Sequence, residues 1–320
     1  MKSRPRVPAY YLHDLSPFVI ELSNDFILRQ FGHSVGVHWY GLAYVVSFLL
    51  GGWLYQWLAR RGYTDLPVGQ VSDFITWAAV FGVMLGGRLG WSLFYWMPER
   101  GLDYVLKHPL EFFKVWEGGM SSHGGILGLV LFTLWWSWRK KVSWTSIGDS
   151  LVVVAPIGLL VVRLANFING ELYGRRAGVP GGAASVPWAM LFPKELGPDE
   201  PPLAAIQHDE ATRTWLREVL APRHPSQLYE ALLEGVVLFT ALWLLRTRCR
   251  VPRGVLTGAF FILYAVLRIV GEFFREPDPA WSVGWISAGQ FLSIFMVFIG
   301  AAFIAWGWRA REYERIFREA

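Results

Sequence analysis

Charge is what this 320-residue chain has least of. Asp, Glu, Lys and Arg together make up 17% of it, where soluble domains carry about 25%. Cysteine is nearly absent: the lone Cys249 excludes an intramolecular disulfide and any cysteine-rich metal site. No His, Asp or Glu cluster has metal-ligand spacing, so no metal is expected. The basic amino terminus is not followed by an apolar stretch before residue 35, so no cleaved signal peptide is expected. Tandem repeats and charged low-complexity tracts are missing too. What is abundant is apolar: 53% of residues are hydrophobic and 18 are Trp, a membrane composition. The formal charge of +5 does not indicate nucleic acid, because the basic residues sit in short loops between apolar segments.

Residues 1–37 are mixed, with Pro5, Pro8 and Pro17 breaking helices and Phe18-Val19-Ile20 suited to a short strand or an interfacial arm. Seven apolar segments follow, near 38–59, 71–97, 118–138, 147–169, 225–246, 254–275 and 285–308, each close to the ~20 residues that span a bilayer. Arg60-Arg61, Arg139-Lys140-Lys141, the arginines from Arg246 to Arg253 and those from Arg309 to Arg318 all fall on one side, which is therefore cytoplasmic. Lys2, Arg4, Arg6 and Arg29 fall on the other side, spread over a longer tail. The expectation is an all-α polytopic membrane protein of seven transmembrane helices. Residues 1–37 form an outer arm, 38–169 carry helices one to four, 170–224 form a long outer head segment, 225–308 carry helices five to seven, and 309–320 form a cytoplasmic tail. A helical stretch is expected within the head near 211–220.

Of the thirty Lys and Arg residues, three lie well inside a span: Arg88, Arg163 and Arg268. At 1.5 Å per residue they sit about 14, 9 and 10 Å below the outer ends of their helices, and His123 and Glu230 lie about 8 Å down. The inner half offers only Asp73 and Asp149, near helix starts where the macrodipole favours an acid. A polar pocket open to the outer side follows. Arg163, Asn166 and Gly170 share one helix face, and Glu171, Tyr173 and Gly174 come next. Tyr264, Arg268, Glu272 and Arg275 form a stripe along the sixth span. Two readings stand for that stripe: an internal ion ladder holding helices together, or an anion site. Two arginines against one acid, with Arg163 added, leave positive charge over, and guanidinium forks suit phosphate oxygens. Glu230 and Glu234 share a face and are either counter-ions to the arginines or catalytic. Gly82, Gly86, Gly90, Gly124 and Gly128 are read mainly as helix-packing residues. His123 is the side chain best placed to take a proton near neutral pH. Ser121, Ser122 and His123 do not make a triad, since adjacent helical residues point different ways. A lipid or anion transporter is the alternative reading, since the glycines and arginines resemble a substrate pocket, but it would need polar residues through the inner half, and few are there.

Assembled in order, His38-Trp39-Tyr40-Gly41, Gly86-Gly87-Arg88, the Gly118–Gly125 run, Arg163 to Gly174, His224 to Glu230 and Arg268 to Asp278 resemble the prolipoprotein diacylglyceryl transferases of bacteria over nearly the whole chain. One position departs from the family pattern: Val162 stands where Gly usually precedes the core arginine. The resemblance implies transfer of the diacylglyceryl group of phosphatidylglycerol to the lipobox cysteine thiol of a prolipoprotein, releasing glycerol phosphate. It implies a bacterial plasma-membrane enzyme using no cofactor, whose partners are membrane lipid and the prolipoprotein signal peptide. The catalytic residues expected on this basis are His123, Arg163 and Arg268. Tyr40, Asn166, Asn169, Glu171, Gly174, Tyr264, Glu272, Arg275 and Arg88 are expected to bind substrate, and Glu272 to hold the arginine forks. Cys249 lies on the cytoplasmic side and is not expected to form a covalent intermediate.

Overall fold

In the computed structural model the described residues are 10–22, 35–114, 118–276, 282–283 and 286–318. Most of the predicted arm (1–9 and 23–34) and Asp278 of the last motif lie outside them. Short strands come first: β1 (Tyr11–Leu12), β2 (Phe18–Leu22) and β3 (Val35–His38). β2 and β3 pair antiparallel, so the Phe18-Val19-Ile20 stretch is a strand. The long helices are α1 (Trp39–Arg60), α2 (Val68–Arg100), α3 (Ser122–Lys140) and α4 (Trp144–Ile168). After β4 (Met190–Leu191) come α5 (Glu210–Val219), α6 (Ser226–Arg248), α7 (Val255–Glu272) and α8 (Ala288–Ala310).

Six of these, α1, α2, α4, α6, α7 and α8, are long and apolar enough to cross a membrane, so this is a multi-pass helical membrane protein. The third predicted span is a helix of 19 residues, α3, but it is not among the six. Its sequence opens Ser-His-Gly-Gly and closes Trp-Arg-Lys, which thins its apolar stretch. Ser121 caps it by accepting from the Gly124 amide at 3.2 Å, and Lys141 ends it in the left-handed conformation. The predicted helix in the head segment is α5, where Asp209 caps the amides of Ala211 and Thr212.

The chain divides into two compact units. The first comprises Met1–Ser47, Ala155–Leu244 and Gly258–Ala302, and the second Phe48–Val154, Leu245–Thr257 and Phe303–Ala320. In the first, Leu12 of the arm and Leu191, Ile206, Leu216 and Leu220 of the head segment build a small core, and β1 adds to β4 in parallel. His13, the residue directly after β1, reaches the Phe167 carbonyl at 2.7 Å and stacks on Phe192.

In the second unit, α2 and α3 meet backbone to backbone. A Cβ on Gly86 would lie 2.7 Å from the Gly124 carbonyl, and one on Gly128 would lie 2.3 Å from the Gly82 carbonyl. The five packing glycines therefore form one interface, as the small-xxx-small spacing predicts. Asp149 is a correction to the macrodipole reading. It lies beyond the first turn of its own helix and instead caps the start of α7, accepting from the Gly254 and Thr257 amides at 2.8 and 2.9 Å. The physics is the one expected, applied to a different helix. Beside it, Glu314 of the tail meets Arg253 at 3.1 Å, Arg246 at 3.5 Å and the Ser146 hydroxyl at 3.0 Å.

Candidate active site

The first unit holds an ionic cluster carried by three spans. α4 supplies Arg163, α6 supplies Glu230 and Glu234, and α7 supplies Arg268 and Glu272, with Arg275 just past its end. All three acids are fully or almost fully buried, whereas each arginine side chain keeps 14% of its surface exposed. Glu230 is the hub. Its Oε2 meets Arg163 Nη1 at 3.0 Å, while its Oε1 accepts from Arg268 Nη1 at 2.6 Å and from Arg275 Nη1 at 3.4 Å. Glu234 Oε2 accepts from both Nε and Nη2 of Arg163, at 3.3 and 3.1 Å, and its Oε1 lies 3.7 Å from Arg268. Glu272 meets Arg268 Nη2 at 3.1 Å, one turn along the same helix. Tyr264 lies within the field of Glu234, Arg163, Arg268 and Glu230.

This geometry overturns the expected excess of positive charge. Three guanidiniums face three carboxylates, so the formal sum is zero. The stripe on α7 carries a single acid, and the other two arrive from α6 by folding. Two acids four residues apart in an apolar span were the available signal, and Glu230 is the residue whose central position it understated. The arginines are nevertheless brought together, and Arg275 is the most loosely held, touching one carboxylate oxygen among the described residues.

A second group forms at the end of α4, with Asn166 in its last turn. The Tyr40 hydroxyl donates to Glu171 Oε2 at 3.1 Å and accepts from the Asn166 side-chain amide, so three of the predicted residues make one chain. Glu171 also meets Lys194 at 3.3 Å. Asn169 is buried, and its Oδ1 has no hydrogen-bond partner among the described residues. The loop carrying these groups is pinned by the start of α6: Gln227 donates to the Glu171 carbonyl at 2.6 Å and Ser226 to the Leu172 carbonyl at 2.9 Å. Gly174 is obligatory, since a Cβ there would lie 2.4 Å from the Phe274 carbonyl and 2.5 Å from that of His224. Arg223, which sequence reasoning missed, holds the same loop. It donates to the Gly174 carbonyl at 3.0 Å and to Glu195 at 2.6 and 2.8 Å, and it also pairs with Glu276. Burial alone would raise the Glu195 carboxyl, but Arg223 and Arg176 outweigh it and hold the group below the usual range.

His123 and Arg88 belong to the second unit. His123, in the first turn of α3, is exposed, and neither ring nitrogen has a partner among the described residues. Arg88 is buried. It donates to the carbonyls of Phe112, Gly118, Gly119, Glu111 and Lys114, at 2.5 to 3.3 Å, and stacks on Trp91. Its fork organises the loop that leads into α3. Among the described residues no group of three His, Cys, Asp or Glu could hold a metal ion.

Apolar spans enclosing a balanced arginine–glutamate cluster, joined by a pinned polar loop, define a polytopic membrane protein with an ionic site inside its helices. The prolipoprotein diacylglyceryl transferase family model matches residues 27–306, and the chain belongs to that family. It is 42% identical over 282 residues to the phosphatidylglycerol–prolipoprotein diacylglyceryl transferase of Rhodopseudomonas palustris, covering 85% of this chain and 86% of that protein. The enzyme of the same name from Cronobacter sakazakii is 40% identical over 311 residues, covering 96% and 98% of the two chains. That from Rhodospirillum centenum is 43% identical over 270 residues, covering 82% and 85%.

Proposed function

We propose that the protein transfers the diacylglyceryl group of phosphatidylglycerol to the lipobox cysteine thiol of prolipoproteins, the first step of lipoprotein maturation. The observation that carries this is the ionic cluster of Arg163, Arg268 and Arg275 inside the spans of a chain that belongs to this family. In the reaction the thiolate sulfur attacks the glycerol carbon, the carbon–oxygen bond to phosphate breaks, and glycerol phosphate leaves with the electron pair. The phosphate gathers negative charge as that bond breaks, and preorganised donors aimed at such charge supply the largest catalytic term. The buried carboxylates hold the guanidinium planes in place, and the partly exposed edges of Arg163, Arg268 and Arg275 meet the phosphate. Arg275, with the weakest hold, turns most readily toward it. Tyr40, Asn166, Asn169, Glu171, Gly174 and Tyr264 orient the head group, and Arg88 shapes the approach through its loop.

His123 takes the thiol proton. A free thiol near pKa 8.5 and an imidazole near 6.5 differ by about two pK units, or about 2.7 kcal/mol, so transfer also needs positive charge that stabilises the thiolate. The unpartnered ring nitrogens of His123 support this role.

The membrane is the bacterial plasma membrane, with the amino terminus outside and the carboxyl terminus in the cytoplasm, as the arginine-rich loops favour. α3 is the seventh span. Residues 1–37 and 170–224 then lie outside, flanking 38–169 and 225–308, and 309–320 lie in the cytoplasm. The test is mass gain on a lipobox peptide supplied with phosphatidylglycerol. A diacylglyceryl adduct is expected on the cysteine peptide and none on its Cys→Ser version. Arg163→Lys should keep the fold but lose at least about tenfold in turnover, because an ammonium cannot reproduce the fork; near wild-type turnover would remove the bidentate role.

A further inference from the structure

Within the second unit, α2 and α3 meet backbone to backbone along their glycines. Past Gly82 large rings separate the backbones, with Phe74 of α2 packed on Phe132 and Trp136 of α3, and a groove of about 300 Å³ opens beside them. Its walls change character along their length. On α2, Asp73, Trp77 and Phe81 follow one another at intervals of one turn. On α3 the sequence runs from Phe132 through Trp136 to Arg139 and Lys140. Eight residues of helix correspond to about 12 Å, so both walls pass from an aromatic end to a charged end over the same distance and in the same direction.

One lining ring carries a cation. Lys140 Nζ stands 5.4 Å from the Trp136 ring, beside the exposed Arg139. The two cations against Asp73 leave one positive charge in the lining.

We infer that this groove binds one anionic glycerophospholipid, with its phosphate between Arg139 and Lys140 and an acyl chain along Trp77, Phe81 and Phe132. A head group of charge −1 neutralises the lining, whereas a zwitterionic one leaves its charge uncancelled. Aromatic rings flanked by Arg and Lys are also the usual furniture of the membrane–water boundary. The groove is separate from the transferase reading and does not depend on it.

The test uses the full-length protein in phosphatidylcholine nanodiscs with a phosphatidylglycerol probe carrying a diazirine on one acyl chain, and maps the labelled peptides. Labels are expected within 77–81 and 132–136, with about tenfold less from the same diazirine on phosphatidylethanolamine. The double variant Arg139→Gln, Lys140→Gln should lower that labelling about tenfold. Arg163→Lys should leave it unchanged, which separates this groove from the ionic cluster. Absence of label in both stretches, equal labelling by the two probes, or labelling undiminished in the double variant would overturn the inference.

Discussion

Glu230 contacts all three clustered arginines, Glu234 contacts two and Glu272 one. Replacing one partner of a buried ion pair leaves the others uncompensated and costs about 3 kcal/mol or more. The thermal midpoint in detergent should therefore fall most for Glu230→Gln, less for Glu234→Gln and least for Glu272→Gln; a reversed order would mean that the carboxylates are not the scaffold for the guanidiniums. His123 has a different signature. If it takes the thiol proton, His123→Gln should flatten the acid limb of the pH–rate profile while leaving the thermal midpoint unchanged. An unaltered acid limb in that variant would remove its role as base. These residues were all visible along the chain. What the sequence could not supply was the pairing, because a helix face says where a side chain points and not which acid from another span meets it.

Among the elements, α2 and α3 depend on the absence of side chains. Gly128→Ala places a methyl 2.3 Å from the Gly82 carbonyl, and overpacking of this kind costs about 1–3 kcal/mol. Gly51→Ala in α1, where a Cβ meets nothing within 4 Å, is the control and should leave the thermal midpoint unchanged. Equal behaviour of the two variants would sink the interface. The β1 arm has a pH-sensitive anchor. Burial lowers the pKa of His13, while its hydrogen bond to the Phe167 carbonyl opposes the shift less strongly. The docked arm thus prefers neutral imidazole, so its stabilisation is complete above the ordinary histidine value and is lost as pH falls through the lowered one. Amide protection factors at residues 10–15, corrected for the intrinsic exchange rate, should fall between pH 7.5 and 5.5 in the wild type, and His13→Gln should abolish that fall. Spacing revealed the glycine interface in advance, since close approach needs only small residues at one-turn intervals. It was silent on His13, whose partner lies 154 residues away.

For the molecule as a whole, Cys249 is a built-in reporter. It is the only cysteine and it is exposed, in the arginine-rich connection between α6 and α7. A membrane-impermeant maleimide should leave it unlabelled in intact spheroplasts and label it in inverted vesicles. Labelling from the outside would reverse the proposed orientation, and with it the side on which the ionic cluster opens. The same end of the chain holds Glu314, buried against Arg246, Arg253 and Ser146.

Hydropathy by itself determined the membrane class, most of the helix limits and the presence of arginines within spans, because the transfer cost of side chains and backbone into hydrocarbon is local and additive along a helix. The motifs in their order determined the family. Only tertiary structure decided that the arginines are matched one for one by acids, that Asp149 caps α7 rather than its own helix, and that Arg88 spends its fork on a loop. Charge balance and hydrogen-bond satisfaction depend on neighbours distant along the chain, and those neighbours exist only once the helices have packed.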